Sequence, residues 1–234
     1  LGFIGAGNQA GNDVKDFLAD KRVQVTAVCD VNKKRSGYWN GKVAGRDYIM
    51  QVVDEHYSEK NKSSYQSAIG YTDFRELLEN KDIDAVEVVT PDHWHSIPVM
   101  MAAAAGKHIY CQKPLSLTVE EGRAMSDAVK KYGVTFQTGS QQRSSYHFRR
   151  VCELAKNGRL GDLHTVTCGL PGGTPDFGRT GHLTETIPVP KDFDYDMWLG
   201  PAPEAPFSPC RTHVNFRWNL DYSGGEWVLS LLVR

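Results

Sequence analysis

Gly5, Gly7 and Ala10, within L-G-F-I-G-A-G-N-Q-A-G, stand at G-x-G-x-x-G/A spacing directly after a short apolar run. That spacing suits a pyrophosphate. A glycine turns the strand sharply, a second lets backbone approach the phosphates, and a small third residue packs the following helix, whose N-terminal N–H groups face the anion. Alone, the pattern fits an ordinary strand-to-helix turn equally well. Asp30 adds to it by closing the β-branched run Val23–Cys29, 19 residues beyond Gly11. A dinucleotide fold places there the carboxylate that accepts from the adenosine ribose hydroxyls. An acid at this point opposes a 2′-phosphate and favours NAD over NADP. Lys33, Lys34 and Arg35 keep NADP open, or else begin a solvated helix.

His93 and His95 invite a metal, but their two-residue spacing is poor for co-ligation from a helix and no carboxylate or Cys cluster accompanies them. No metal is expected. Gln141 and Arg143 follow the last strand of the first half and are placed to reach cofactor or substrate. Arg211, His213, Arg217, Trp218 and Tyr222 form a polar-aromatic set of the kind that binds sugars by stacking and bidentate hydrogen bonds. Loop packing beneath Pro-rich turns accounts for any single one of them equally well.

The elements that must position these residues follow from periodicity. Leu1–Ile4, Val23–Cys29, Asp84–Val89, His108–Cys111 and Val134–Phe136 read as buried strands. Between them, helices are predicted over Asn12–Ala19, from Asp73, through Met100–Ala105 to a closing Gly106, and from the Thr118/Glu121 capping box to Tyr132 with Gly133 beyond it. Ser36–Gly70 reads as an inserted helix and loop whose aromatics, Tyr38, Trp39, Tyr48, Tyr57 and Tyr65, pack without chemistry of their own. The strict β-α alternation predicts an α/β fold with a Rossmann-type doubly wound parallel sheet over residues 1–138. Ser145–Asn157 reads as a helix and Leu163–Gly169 as a strand. Eight of eleven prolines and three of five tryptophans follow residue 170. That shift marks residues 139–234 as a second, α+β substrate domain on an open, mainly antiparallel sheet with long loops.

Composition excludes several classes. A net charge of −1 leaves no footprint for nucleic acid, and the longest apolar run, Val99–Ala105, is too short to span a membrane. The five cysteines, Cys29, Cys111, Cys152, Cys168 and Cys210, are odd in number without a C-x-x-C pair, so free thiols are expected. A cytoplasmic location is expected, or a periplasmic one if an upstream signal has been removed.

Thr90-Pro91 with His95, then Lys113-Pro114, resembles the glucose–fructose oxidoreductase / inositol dehydrogenase (Gfo/Idh/MocA) family. The stretches Y-T-D-F-R-E-L-L, T-P-D-H-W-H, Y-C-Q-K-P-L-S-L-T-V-E-E-G-R, Q-T-G-S-Q-Q-R-S, W-L-G-P-A-P and D-Y-S-G-G extend the likeness from Leu1 to about Trp227. The resemblance implies that Gly5, Gly7, Asn8, Gln9 and Asp30 cradle NAD. It also implies that Thr90, Pro91, His93 and His95 line the nicotinamide side, with Gln112 and Gln141 beside them. Lys113 would lie between nicotinamide and substrate; by residue type and position alone, Arg143, Arg211, His213 and Tyr222 are expected toward the substrate. Family members more often carry Glu before this lysine, and Gln112 implies modest retuning.

Hydride transfer from a secondary alcohol needs a base for the hydroxyl proton. A lysine desolvated beside a cationic ring can serve; by residue type alone, Lys113 fits a surface loop equally well. The expected activity is oxidation of a sugar or polyol with NAD. Two other readings stand beside it: an NAD-dependent glycosidase or lyase working by transient oxidation, and a catalytically impaired NAD- or sugar-binding protein. The last draws on the chain's end. In the family, Asp and His about one turn apart follow the G-G stretch; here no Asp or His follows Asp221, and V-L-S-L-L-V-R closes the chain. A truncated or altered C-terminus is expected, with an unfinished sheet edge that favours a homo-oligomer.

Overall fold

Strands form where an extended stretch finds a paired neighbour. The computed structural model describes residues 1–61, 68–167, 169, 176 and 178–225. Six parallel strands make one sheet: β1 (Gly2–Ile4), β2 (Ala27–Cys29), β3 (Ile69–Tyr71), β4 (Ala85–Val88), β5 (His108–Gln112) and β6 (Phe136–Gly139), in the order β3-β2-β1-β4-β5-β6. The chain winds outward from β1 to one edge, then returns to β4 and winds to the other. This creates a switch point between β1 and β4, where such sheets bind ligands at the carboxyl ends of their strands. The Val23–Cys29 run pairs as β2 only from Ala27, because β1, its partner, begins at Gly2; Val25 instead donates its N–H to the Tyr57 hydroxyl at 3.0 Å.

Alternation in β1 and β2 divides the core. Phe3 and Val28 face α1 (Asn8–Ala19) and α2 (Arg46–Asn61), where Ala10, Val14, Leu18, Ile49 and Val53 are buried. Ile4, Ala27 and Val88 face the opposite layer: α3 (Phe74–Glu79), α4 (Ser96–Ala104) and α5 (Val119–Tyr132). Ala10, Val14 and Leu18 recur every fourth residue, so α1 lays one stripe on the sheet. Each fully buried Val or Phe contributes about 1.5–3 kcal/mol. The Thr118/Glu121 capping box opens α5, and Gly133, left-handed at φ 67, closes it.

Beyond β6 the chain forms α6 (Tyr146–Lys156), which buries no side chain, and then α7 (Tyr195–Leu199) and short 3-10 turns around an aromatic cluster of Phe193, Tyr195, Trp198, Phe207, Phe216 and Tyr222. Residues 163–167 are exposed and form no strand, and none of the described residues pairs with them. Among the described residues the second half contributes no sheet of its own; its antiparallel pairing there is a single bridge, Asn32 to Phe193. Tyr65, Cys168 and the closing apolar tail lie outside the described residues. No helix among the described residues is long and apolar enough to cross a membrane.

Candidate functional site

The turn from β1 into α1 is built on Gly5, whose φ is +102°. A Cβ there would lie 2.7 Å from the Val89 carbonyl carbon and oxygen, so the turn runs hard against the end of β4. Gly7 is the N-cap of α1, no side chain caps the first turn, and that turn holds no acid. Helix N–H groups left in this way are donors for an anion. Asn8 Oδ1 accepts the Trp39 N–H at 3.0 Å.

Asp30 sits where β2 ends. Its Oδ2 accepts the Ala6 N–H at 2.5 Å, and its Oδ1 accepts the Asn32 N–H at 2.7 Å. Burial still pushes its pKa up to about 6, outweighing those two bonds and the Arg46 charge. Asn32 donates to the Tyr38 hydroxyl at 3.0 Å, and the Tyr38 ring packs against His213, centroids 4.5 Å apart. Tyr38 therefore lines the same cleft as Asp30, contrary to a packing role alone. Arg35 pairs with Asp192 at 3.1 Å, while Lys33 and Val31 bond the backbone of residues 192 and 194.

At the other side of the switch point, Thr90-Pro91 leads into a 3-10 turn over Asp92–Trp94. His95 Nε2 lies 2.9 Å from the Thr90 carbonyl and its Nδ1 2.5 Å from the Pro114 carbonyl, tying the β4 and β5 exits together. Gln112 is buried, donates from Nε2 to Asp13 at 2.6 Å and accepts the Lys113 N–H at 3.3 Å.

One cleft gathers Gly5, Gly7, Asn8, Gln9, Asp30, Thr90, Pro91, His95, Gln112, Lys113, His213 and Arg217. The others stand outside its lining. His93 is turned inward by the 3-10 turn: its Nε2 lies 3.0 Å from the Trp198 carbonyl, its ring packs on Trp198 and Tyr222, and burial lowers its pKa. Tyr222 is fully buried, with Arg211 Nη1 donating to its hydroxyl at 3.4 Å, so both hold the aromatic cluster instead of facing a substrate. Arg143 is exposed on a 3-10 turn. Gln141 is exposed one bond from the lining, accepting from Gln9 Nε2 at 3.2 Å. Residues that sequence reasoning missed include Trp94, Phe193, Met197, Trp198 and Phe216, which also line the cleft. Their signal was the aromatic density around W-L-G-P and F-R-W. No group of three or more His, Cys, Asp or Glu among the described residues could hold a metal ion.

Comparison with known proteins agrees with this geometry. Residues 1–140 match the profile of an oxidoreductase family with an NAD-binding Rossmann fold, and residues 146–228 match that of the same family's C-terminal α/β domain. An uncharacterized oxidoreductase of Bacillus subtilis is 29% identical over 202 residues, covering 85% of this chain and 52% of that protein. A myo-inositol 2-dehydrogenase of Thermotoga maritima is 30% identical over 148 residues, 63% of this chain and 40% of that one. Scyllo-inositol dehydrogenase of Lactobacillus casei, solved with NAD(H) and scyllo-inositol, superposes with a TM-score of 0.51 at 21% identity. It covers 69% of this chain and 42% of that one and speaks for the fold alone. The chain spans about half the length, or less, of these curated relatives.

Proposed function

This chain belongs to the Gfo/Idh/MocA oxidoreductase family, whose N-terminal half is an NAD-binding Rossmann fold, and from that premise we propose that it oxidises a hydroxyl of a sugar or polyol, with Lys113 taking the hydroxyl proton. The observation that carries this reading is that Lys113, Asp30 and the uncapped start of α1 open into one cleft.

The residues present fit the dinucleotide. The α1 N-terminus offers N–H donors without a competing side chain, and Gly5 and Gly7 bring bare backbone to the cleft wall beside it. Asp30 retains lone pairs beyond those bonded by Ala6 and Asn32, enough to accept from a ribose diol. Arg35, paired with Asp192 and outside the cleft lining, is not set toward a 2′-phosphate, which supports NAD over NADP. NAD, when bound, supplies the acceptor for a hydride. This chain's residues do the rest. Neutral Lys113 Nζ takes the hydroxyl proton as the carbonyl forms and the C–H hydrogen leaves with its electron pair. His95 holds the Lys113-Pro114 loop against Thr90. Trp94, Trp198 and Phe216 supply apolar surface on which a sugar ring can stack and from which water is excluded.

Calorimetry with NAD, followed by NADH formation on a panel of polyols and sugars, tests the reading. Binding and Lys113-dependent turnover are expected. Turnover unaffected by Lys113→Ala overturns the mechanism. Release of a leaving group without net NADH would make it a transient-oxidation lyase, and NAD binding with no turnover a binding protein.

A further inference from the structure

Behind the glycine turn lies a polar string that these roles leave unexplained. Asp13, in the second turn of α1, uses both carboxylate oxygens. Oδ1 accepts from Gln9 Nε2 at 2.7 Å, and Oδ2 accepts from Gln112 Nε2 at 2.6 Å. Gln9 belongs to the first turn of α1 and Gln112 ends β5, so one carboxylate joins segments 99 residues apart. Space is reserved for this contact. A Cβ on Gly139 would lie 2.8 Å from the Gln112 amide.

Beneath them Glu87 is fully buried in the centre of the sheet, beside Asp13 and Gln112. Burial, and then hydrogen bonding to Asp13, push its carboxyl well above the usual range. A protonated Glu87 has an O–H to offer Asp13, where a second carboxylate would repel it.

An amide side chain can be turned end for end at little cost, so its orientation depends on its partners. A carboxylate only accepts, which forces the nitrogens of both Gln9 and Gln112 toward Asp13. The Gln112 oxygen then points to the Lys113 N–H, and the second Gln9 N–H is taken by Gln141. Gln9 is left with its oxygen as an acceptor for a hydroxyl in the cleft. We propose that Asp13 is a positioning residue. By accepting both amides it sets the dinucleotide-binding turn and the lysine loop in fixed relation, and it fixes which atom of Gln9 the ligand meets. This rests on the NAD-dependent reading above.

The test compares wild type, Asp13→Asn, and the swap Asp13→Asn with Gln112→Glu, reading NAD affinity by calorimetry and kcat and KM on a responsive polyol. Asp13→Asn leaves one acceptor oxygen where two are needed, so one amide loses its partner. A fall of about tenfold or more in NAD affinity is expected. In the swap, the introduced amide donates to the introduced carboxylate and still accepts from Gln9, so affinity and kcat should return most of the way. A purely structural role for Asp13 would not be rescued by exchanging donor and acceptor. Asp13→Asn binding NAD as tightly as wild type, or a swap no better than the single variant, overturns the proposal alone. If the single variant does not fold, the swap decides: near wild-type affinity supports the proposal, and tenfold weaker binding overturns it. Wild type that binds no NAD overturns the cofactor reading and this proposal with it.

Discussion

The Asp30 carboxylate accepts the Ala6 N–H at 2.5 Å, so the acid at the end of β2 and the glycine turn after β1 are held as one unit across adjacent strands. Burial pushes its pKa up to about 6 in the free protein. Ribose hydroxyls donate more strongly to the ionised form, so the bound pKa lies lower, and binding releases protons where the free carboxyl is partly protonated. NAD affinity is therefore expected to be level above pH 7 and to weaken below pH 6, by up to about tenfold per pH unit. Asp30→Asn should bind more weakly with that slope gone. Calorimetry from pH 7.5 to 5 checks it, and a wild-type Kd level across the range contradicts it.

Lys113→Ala should lower kcat by roughly 10²–10⁴-fold, the contribution of a positioned general base. NAD affinity should change little, because the turn and Asp30 are untouched. Lys113→Arg separates charge from proton transfer. It keeps the cation but cannot become a neutral base near pH 7, so it should be as inactive as the alanine variant. An active Lys113→Arg enzyme would assign the lysine an electrostatic role only.

The glycine turn and Asp30 were legible because backbone geometry dictates their types: a φ of +102° and close approach to Val89 demand Gly5, and the end of β2 demands an acceptor. Five strands were legible as apolar runs and misplaced at their ends, since pairing begins only where a neighbour exists; β3, largely exposed, was read as the end of a helix and loop. His93 was misread because T-P-D-H-W-H shows two histidines at a strand exit, whereas the 3-10 turn that rotates one of them inward depends on the Trp198 carbonyl, 105 residues away. The same holds for Tyr222 and Arg211, whose partners are each other and a buried cluster. Asp13 and Glu87 gave no signal at all, because a lone acid in a helix or strand reads as solvated until the fold closes over it.

Gly5→Ala and Gly133→Ala separate two costs of a side chain at positive φ. Both glycines are left-handed, but a Cβ on Gly133 meets nothing within 4 Å, whereas on Gly5 it meets Val89 backbone at 2.7 Å. Gly133→Ala should lose about 1–2 kcal/mol in urea unfolding from the backbone conformation alone. Gly5→Ala should lose about 3 kcal/mol or more, since the β4 end must move as well. Equal losses would mean that the turn yields freely, and Gly5 would then be placed by ligand approach alone.

His213 provides the pH dependence of the second half. Its ring packs on Tyr38 and Phe193, and burial, then the Arg35 charge, lower its pKa to about 4. The sign follows from linkage: the unfolded chain takes up this proton near pH 6.5 and the folded one near 4, so stability is complete above 6.5 and is lost as pH falls toward 4. His93, also lowered, adds loss of the same sign; Asp30, raised, acts the other way between about pH 4 and 6. Wild type is therefore best compared with a variant altered at His213 alone. Asn tolerates the left-handed backbone that His213 adopts at φ 55 and does not titrate. His213→Asn should be less stable at pH 7, having lost the ring contacts, and the gap should narrow steadily from pH 6.5 to pH 4 in urea unfolding. A constant gap across that range would place the His213 proton outside the folding equilibrium.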